Sequence, residues 1–138
     1  VMEDYRRTGL SLRGHPVGFL RANLAREGIV PCAALDRARD GARTAVAGLV
    51  LVRQRPGSAR GVLFITIEDE TGFANLVVWP DLFERQRRLI LSAGMLAARG
   101  LVQREGAVVH VIVRDLVDLS PRLAALDGPL KVPTRDFR

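Results

Sequence analysis

Three consecutive carboxylates, Glu68, Asp69 and Glu70, form the densest acidic group in this 138-residue sequence. They are the first place to look for metal-assisted chemistry. Two-metal phosphoryl transfer needs carboxylates converging on one point. Consecutive side chains on a strand splay to opposite faces, and the run ends in Thr71-Gly72, so it reads as the acidic turn of a hairpin. His15, Cys32 and His110 lie far apart with no ligand spacing, which argues against zinc. Pro56-Gly57-Ser58 lacks the length, the lysine and the following helix of a phosphate loop. Gly14-His15-Pro16 reads as a structural turn rather than the seat of a catalytic histidine. No catalytic, cofactor-binding or metal-ligating residue is therefore expected in this chain. What remains is binding chemistry. Phe64 offers a ring, Thr66 and Asn75 offer polar groups beside it, and Arg53, Arg55, Arg60 and Arg104 offer guanidinium groups. That combination suits single-stranded nucleic acid, where rings stack on bases and arginines meet phosphates.

The elements that must position these residues follow from periodicity. Leu63, Ile65 and Ile67 alternate with Phe64, Thr66 and Glu68, as in a half-buried strand. After the acidic turn, a second strand runs to Trp79, where Pro80 stops it. An earlier strand spans about 46–54, with a bend or bulge expected at Gly48. The loop from Arg55 to Gly61 has turn chemistry with two cations. Asp81 is placed to cap a helix over about 82–91, with Glu84 completing a capping-box-like pattern. Two more strands, about 95–104 and 107–116, meet at Glu105-Gly106. The order β-β-β-α-β-β predicts a mainly β fold, the five-stranded Greek-key oligonucleotide-binding (OB) barrel with its helix between strands three and four.

In that fold Phe64 lies on the outer face of strand two by parity, and Arg53, Arg55 and Arg60 bracket the first loop. Arg104 sits at the loop between strands four and five. An acidic pole at Glu68–Glu70 would then face away from a basic, aromatic groove. The alternative for Phe64 is to cover the barrel mouth or pack on the N-terminal helix. Trp79 is expected in the core or at a hinge, and Phe73 is ambiguous. Arg85, Arg87 and Arg88 are expected on a solvated helix face. His110 faces away from Val109 and Val111, outward or at the groove edge.

The flanks read differently. Residues 1–45 form a short helical and linker segment preceding the barrel, with a helix end at 2–8, a turn or extended linker at 9–16, an amphipathic helix over 17–27 and a further helical turn over 32–39. Residues 46–119 are the OB domain, and residues 120–138, with Pro121, Gly128, Pro129 and Pro133, are a tail that is mobile or laid across the surface. The net charge is +6, but the barrel's nine arginines nearly balance its eight acids, so the basic excess belongs to the flanks. The apolar content of 48% permits a real core. The longest apolar stretch, Ala45 to Val52, suits a buried strand and is too short to span a membrane. One cysteine cannot form an internal disulfide, which fits a cytoplasmic location. The sequence begins at Val1 rather than Met, so a fragment of a longer protein is expected.

Val52 to Gly61, Phe64 to Gly72 and Asn75 to Pro80, with Thr8 to Pro16 before them and Leu130 to Arg138 after, together resemble the C-terminal region of an error-prone DNA polymerase. The family is the error-prone paralogue of the bacterial C-family DNA polymerases, relatives of the polymerase III alpha subunit. The resemblance covers nearly the whole chain. It implies a parent nucleotidyltransferase that performs translesion synthesis in damage-induced mutagenesis, with its metal-binding carboxylates (for Mg) in a palm domain upstream. It also implies an inactive Y-family-like polymerase partner, a RecA-like accessory protein and the sliding clamp as partners. The hairpin alone resembles the anticodon-binding OB domains of aspartyl-tRNA synthetases, where the position of Phe64 holds a base-stacking ring and that of Asn75 a groove amide. The fragment is thus expected to bind template single-stranded DNA. The alternatives are a docking module for mutasome partners or the clamp with little DNA binding, and an RNA-binding appendage of a synthetase.

Overall fold

The computed structural model describes residues 14–55 and 61–131. The expected helix end at 2–8, most of the linker that follows it, Arg60 with the centre of its loop, and the last residues of the tail lie outside the described residues. Five strands dominate: β1 (Arg43–Gln54), β2 (Leu63–Asp69), β3 (Gly72–Val78), β4 (Met95–Glu105) and β5 (Val108–Asp118). They close into a barrel in the order β1-β2-β3-β5-β4. β4 returns to pair with β1, and the one parallel join, β3 to β5, is short, matching Leu76 with Val111 and Val77 with Ile112. This is the OB barrel expected from the order of elements.

Strict alternation fills its interior. Leu63, Ile65 and Ile67 are buried while Phe64, Thr66 and Glu68 between them are partly exposed. Leu76, Val78, Leu96, Val102, Val111 and Val113 join them in one core. Closing so small a barrel demands sharp coiling, and glycines supply it where backbones nearly touch. A Cβ on Gly48 would lie 2.7 Å from the Glu68 carbonyl oxygen, and one on Gly100 would lie 2.0 Å from that of Ile112. The β4–β5 ladder slips at Gly100, between Arg99 and Gly100, while the β1–β2 ladder slips just past Gly48, between Val50 and Val52.

The segment between β3 and β4 is two short helices, α3 (Pro80–Arg85) and α4 (Arg87–Ser92), and not the single helix expected. Gln86 breaks it. Its side-chain amide donates to the Leu116 carbonyl at 3.0 Å and accepts from the Leu116 N–H at 3.2 Å. Leu116 pairs with Ala98 of β4 on one side, but the short β3–β5 ladder leaves its other side unpaired, and the amide takes that place. The expected capping by Asp81 is also corrected. Trp79 occupies the N-cap with no side-chain bond, Pro80 opens the helix, Asp81 lies in the first turn, and Glu84 pairs with Arg87. Proline suits that first position because its missing N–H has no helical partner to lose.

The N-terminal segment is a second layer. The helix expected over 17–27 is split into α1 (Pro16–Phe19) and α2 (Arg21–Arg26), and a 3-10 helix (Cys32–Arg37) follows. Val17, Leu20, Leu24 and Ile29 pack on Ala45, Ala47, Leu49, Met95 and Ala97 on the outer wall of β1 and β4. Each such burial contributes roughly 1.5–3 kcal/mol. Residues 120–131, the first part of the segment expected to be a tail that is mobile or laid across the surface, form a helix, α5 (Ser120–Lys131). Pro121 sits in its first turn, where it is tolerated, and Leu123 and Leu126 rest on the same second cluster.

Candidate nucleic-acid interface

The outer face of β2 and β3 is read off the register. Phe64 pairs with Val77, Thr66 with Asn75, and Glu68 with Phe73. β5 lies beside β3 and β4 beside β5, adding His110 opposite Gln103. A shallow groove of about 440 Å³ on this face is lined by Phe64, Val77, Trp79, Gln103, His110 and Ile112, with Val62 beside them, and the Thr66–Asn75 pair lies next along the same face. Phe64 and His110 tilt toward one another, ring centroids 6.2 Å apart at 56°. The Thr66 hydroxyl donates to Asn75 Oδ1 at 3.1 Å, leaving the amide's own N–H groups without a partner among the described residues. Gly61, where the first loop re-enters, lies against Pro80 beside Trp79.

Trp79 is half-exposed and Phe73 is 60% exposed, so the core alternative expected for Trp79 is corrected; it sits at the junction of β3 and α3. Its parity matches Phe73, Asn75 and Val77, and that signal was available in the sequence. His110 likewise shares the outer face with Ile112. The stop at Pro80 concealed Trp79, because the end of a strand looks like an interior boundary.

The arginines are less free than their positions suggest. Arg53 donates from Nε to the Ile90 carbonyl at 2.7 Å and from Nη2 to that of Ala93, tying down the end of α4. Arg104 donates to the carbonyls of Ala38, Leu35 and Asp36 at 3.0, 2.8 and 2.8 Å, closing the end of the 3-10 helix. Arg55 lies over the Phe83 ring, 4.4 Å from its centroid, and Arg87 lies 5.0 Å from the same ring. The structure thus brings Phe64, Thr66 and Asn75 onto one face. It places Arg53 and Arg55 near α3 and α4, sends Arg104 to the 3-10 helix, and leaves Arg60 outside the described residues.

The acidic turn is no free pole, and that expectation is corrected too. Arg21 grips Glu70 through two bonds of 2.7 and 2.8 Å and Asp69 through a third of 3.0 Å. The Glu70 bonds hold the Arg21 pKa above its usual value, and the same bonds lower that of Glu70. Asp69, 2% exposed, accepts from the N–H groups of Cys32, Thr71 and Gly72 and from the Thr71 hydroxyl. Burial alone would raise its pKa, but these donors outweigh it and lower it. His15 caps α1 by accepting from the Val17 N–H and lies 3.3 Å from Glu68. The turn is a latch for the N-terminal layer. Asp69 takes five donors and each Glu70 oxygen takes one from Arg21, so these carboxylates serve structural bonds. Cys32 is buried against this latch, and desolvation first of all pushes its thiol pKa well up.

Comparison with known proteins agrees with this architecture. The family described as OB-fold nucleic acid binding domain (tRNA anti-codon type) matches residues 44–119. Over 97% of its length the chain is 58% identical to error-prone DNA polymerase 2 of Rhizobium meliloti (strain 1021), covering 13% of that protein. It is 53% identical over its whole length to the error-prone DNA polymerase of Caulobacter vibrioides, again covering 13%. The chain thus spans about an eighth of the length of these relatives. Among solved structures, an OBody bound to hen egg-white lysozyme superposes with a TM-score of 0.54 at 18% identity, covering 67% of this chain and 94% of that one. Asparaginyl-tRNA synthetase from Pyrococcus horikoshii gives 0.51 at 22% identity, covering 77% and 29%. These two likenesses concern the fold alone. Strand order, the outward ring of β2 and the family match over more than half the sequence make the chain a member of the OB-fold nucleic acid binding domain family.

Proposed function

We propose that this chain is the single-stranded-DNA-binding OB domain of an error-prone DNA polymerase, and that it holds template during translesion synthesis in damage-induced mutagenesis. The observation that carries the reading is the groove in which Phe64, His110 and Trp79 present rings on the outer wall, with Thr66 and Asn75 beside them. Stacking is sequence-tolerant, as a lesion-bypass template requires, because every base has a π-face. The relatives named error-prone DNA polymerases supply the enzymatic context.

Nucleotide transfer would belong to the rest of the parent chain. The divalent metal of a polymerase would belong there too, as the family resemblance implies; among the described residues no group of His, Cys, Asp and Glu is arranged to hold a metal ion. The Y-family-like partner, the RecA-like protein and the sliding clamp belong to the same proposal. No helix of the described residues is long and apolar enough to cross a membrane, and the proposed location is the cytoplasm.

Titration of fluorescent single-stranded DNA at two salt concentrations tests this. With three to five phosphates contacted, log affinity falls against log salt with a slope of roughly −2 to −3.5. Phe64→Ala and Trp79→Ala each cost about 1–3 kcal/mol, roughly 5- to 150-fold, with the slope unchanged. Equal affinity in the two variants and the parent refutes the groove. Capture of a polymerase partner by a chain that binds no oligonucleotide would favour the docking reading.

A further inference from the structure

The outer wall of β1, β4 and β5 holds a second cleft, of about 510 Å³, lined by Arg43, Arg99 and Arg114 together with Gly28, Gly100 and Leu101. We propose that this cleft is a phosphate-binding track, and that it continues the aromatic groove so that one DNA strand crosses β3, β5, β4 and β1 in turn. This rests on the single-strand-binding reading above and extends it to a face outside the β2–β3 platform.

Arg21, Arg53, Arg104 and Arg122 are committed to carboxylates or carbonyls. Arg43 and Arg114 have no hydrogen bond or ion pair among the described residues, and Arg99 has only a long one, 3.5 Å to the Glu27 carbonyl. All three are exposed. The fold gathers them. Arg99 points outward between buried Ala98 and Gly100, and Arg43 pairs with Leu101 two positions along β4. The slip at Arg99/Gly100 matches Arg99 with Asp115 and Gly100 with Val113, so Arg114 has no opposite residue and joins the same wall.

Nearby carboxylates offset this charge only in part. Asp115 is the acidic cross-strand neighbour of Arg99, but the two form no close ion pair. Glu27 is bonded by Arg122 at 2.8 Å, which first of all lowers its pKa, and Arg99 and Arg26 add to that through space. Three like charges on one open wall lower their mutual repulsion by binding an anion. Guanidinium groups match phosphate oxygens in a bidentate geometry.

Continuity with the groove comes from one cross-strand pair. Leu101 lines the cleft, Ile112 lines the groove, and the two are register partners. Three strand spacings from β3 to β1 make a path of about 14 Å. A strand too short to span it would reach one site only.

The test uses oligo(dT) of about three nucleotides, too short for the path, and of about fifteen, within the range of site sizes per OB fold. The combined variant Arg43→Ala, Arg99→Ala, Arg114→Ala should bind the short oligomer as the parent does when the groove holds it. It should bind the long one roughly tenfold or more weakly at low salt, with a slope shallower by about 2. The combined Lys variant at the same positions should restore most of the slope, which a folding defect would not allow. Unchanged long-oligomer affinity and slope in the Ala variant overturn the track while leaving the groove standing. If the parent binds neither oligomer, the single-strand reading and the track fall together.

Discussion

Asp69→Asn is the substitution on which the reading of the acidic turn can be judged. The native carboxylate takes three donors on Oδ1, from the Thr71 N–H, the Thr71 hydroxyl and the Gly72 N–H, and two on Oδ2, from the Cys32 N–H and Arg21. Asparagine can keep the Oδ1 set by presenting its carbonyl there. Its amide nitrogen then faces the Cys32 N–H and the guanidinium, two donors it cannot satisfy. Stranding one buried backbone N–H costs about 1–3 kcal/mol. Losing the Arg21 contact adds less, because Glu70 still holds that side chain. The expected loss is about 2–4 kcal/mol, read as a shift in urea midpoint with an unchanged m-value by circular dichroism. Glu70→Gln, on a more exposed pair, should cost under about 1 kcal/mol.

The pH dependence has a definite sign. Asp69 and Glu70 both have lowered pKa values in the folded chain. Their contribution is complete above the unfolded carboxylate range near pH 4 and is lost as pH falls through the folded values. The parent should therefore lose stability faster than Asp69→Asn below about pH 4, and the gap between them should narrow. A variant within about 0.5 kcal/mol of the parent at neutral pH would refute the latch.

Other residues give sharper single outcomes. Arg104→Ala strands three carbonyls at the end of the 3-10 helix, so it should destabilise by about 1–3 kcal/mol and leave the salt slope of DNA binding unchanged, which anisotropy titrations would check. Gly100→Ala places a methyl group 2.0 Å from the Ile112 oxygen; loss of the cooperative thermal transition is expected, whereas Gly28→Ala, with open space around it, should cost only the strain of its positive φ, about 1–2 kcal/mol. Cys32, buried with its thiol held protonated, should react with a thiol reagent only after denaturant is added, as a colorimetric assay would show.

The alternation of Leu63, Ile65 and Ile67, the glycine at the hairpin turn, and the order of strands and helix were enough to specify the barrel from the sequence, since period-2 burial and turn chemistry are local properties. Membership of Phe64 and Thr66 in one face followed from parity, for the same reason, whereas Asn75 was assigned by resemblance and joins them through the β2–β3 register. What the sequence left undecided was how each polar group would be used. Arg53 and Arg104 looked like phosphate ligands because a guanidinium's role depends on which carbonyls come within reach, and those belong to α4 and the 3-10 helix. The acidic run looked like an exposed pole because Arg21, which neutralises it, lies 49 positions away from Glu70. Trp79 and His110 joined the groove, and Arg43, Arg99 and Arg114 met on one wall, through strand closure and a ladder slip. Local periodicity determined which side chains face outward; only the long-range register of a closed sheet decided which of them meet.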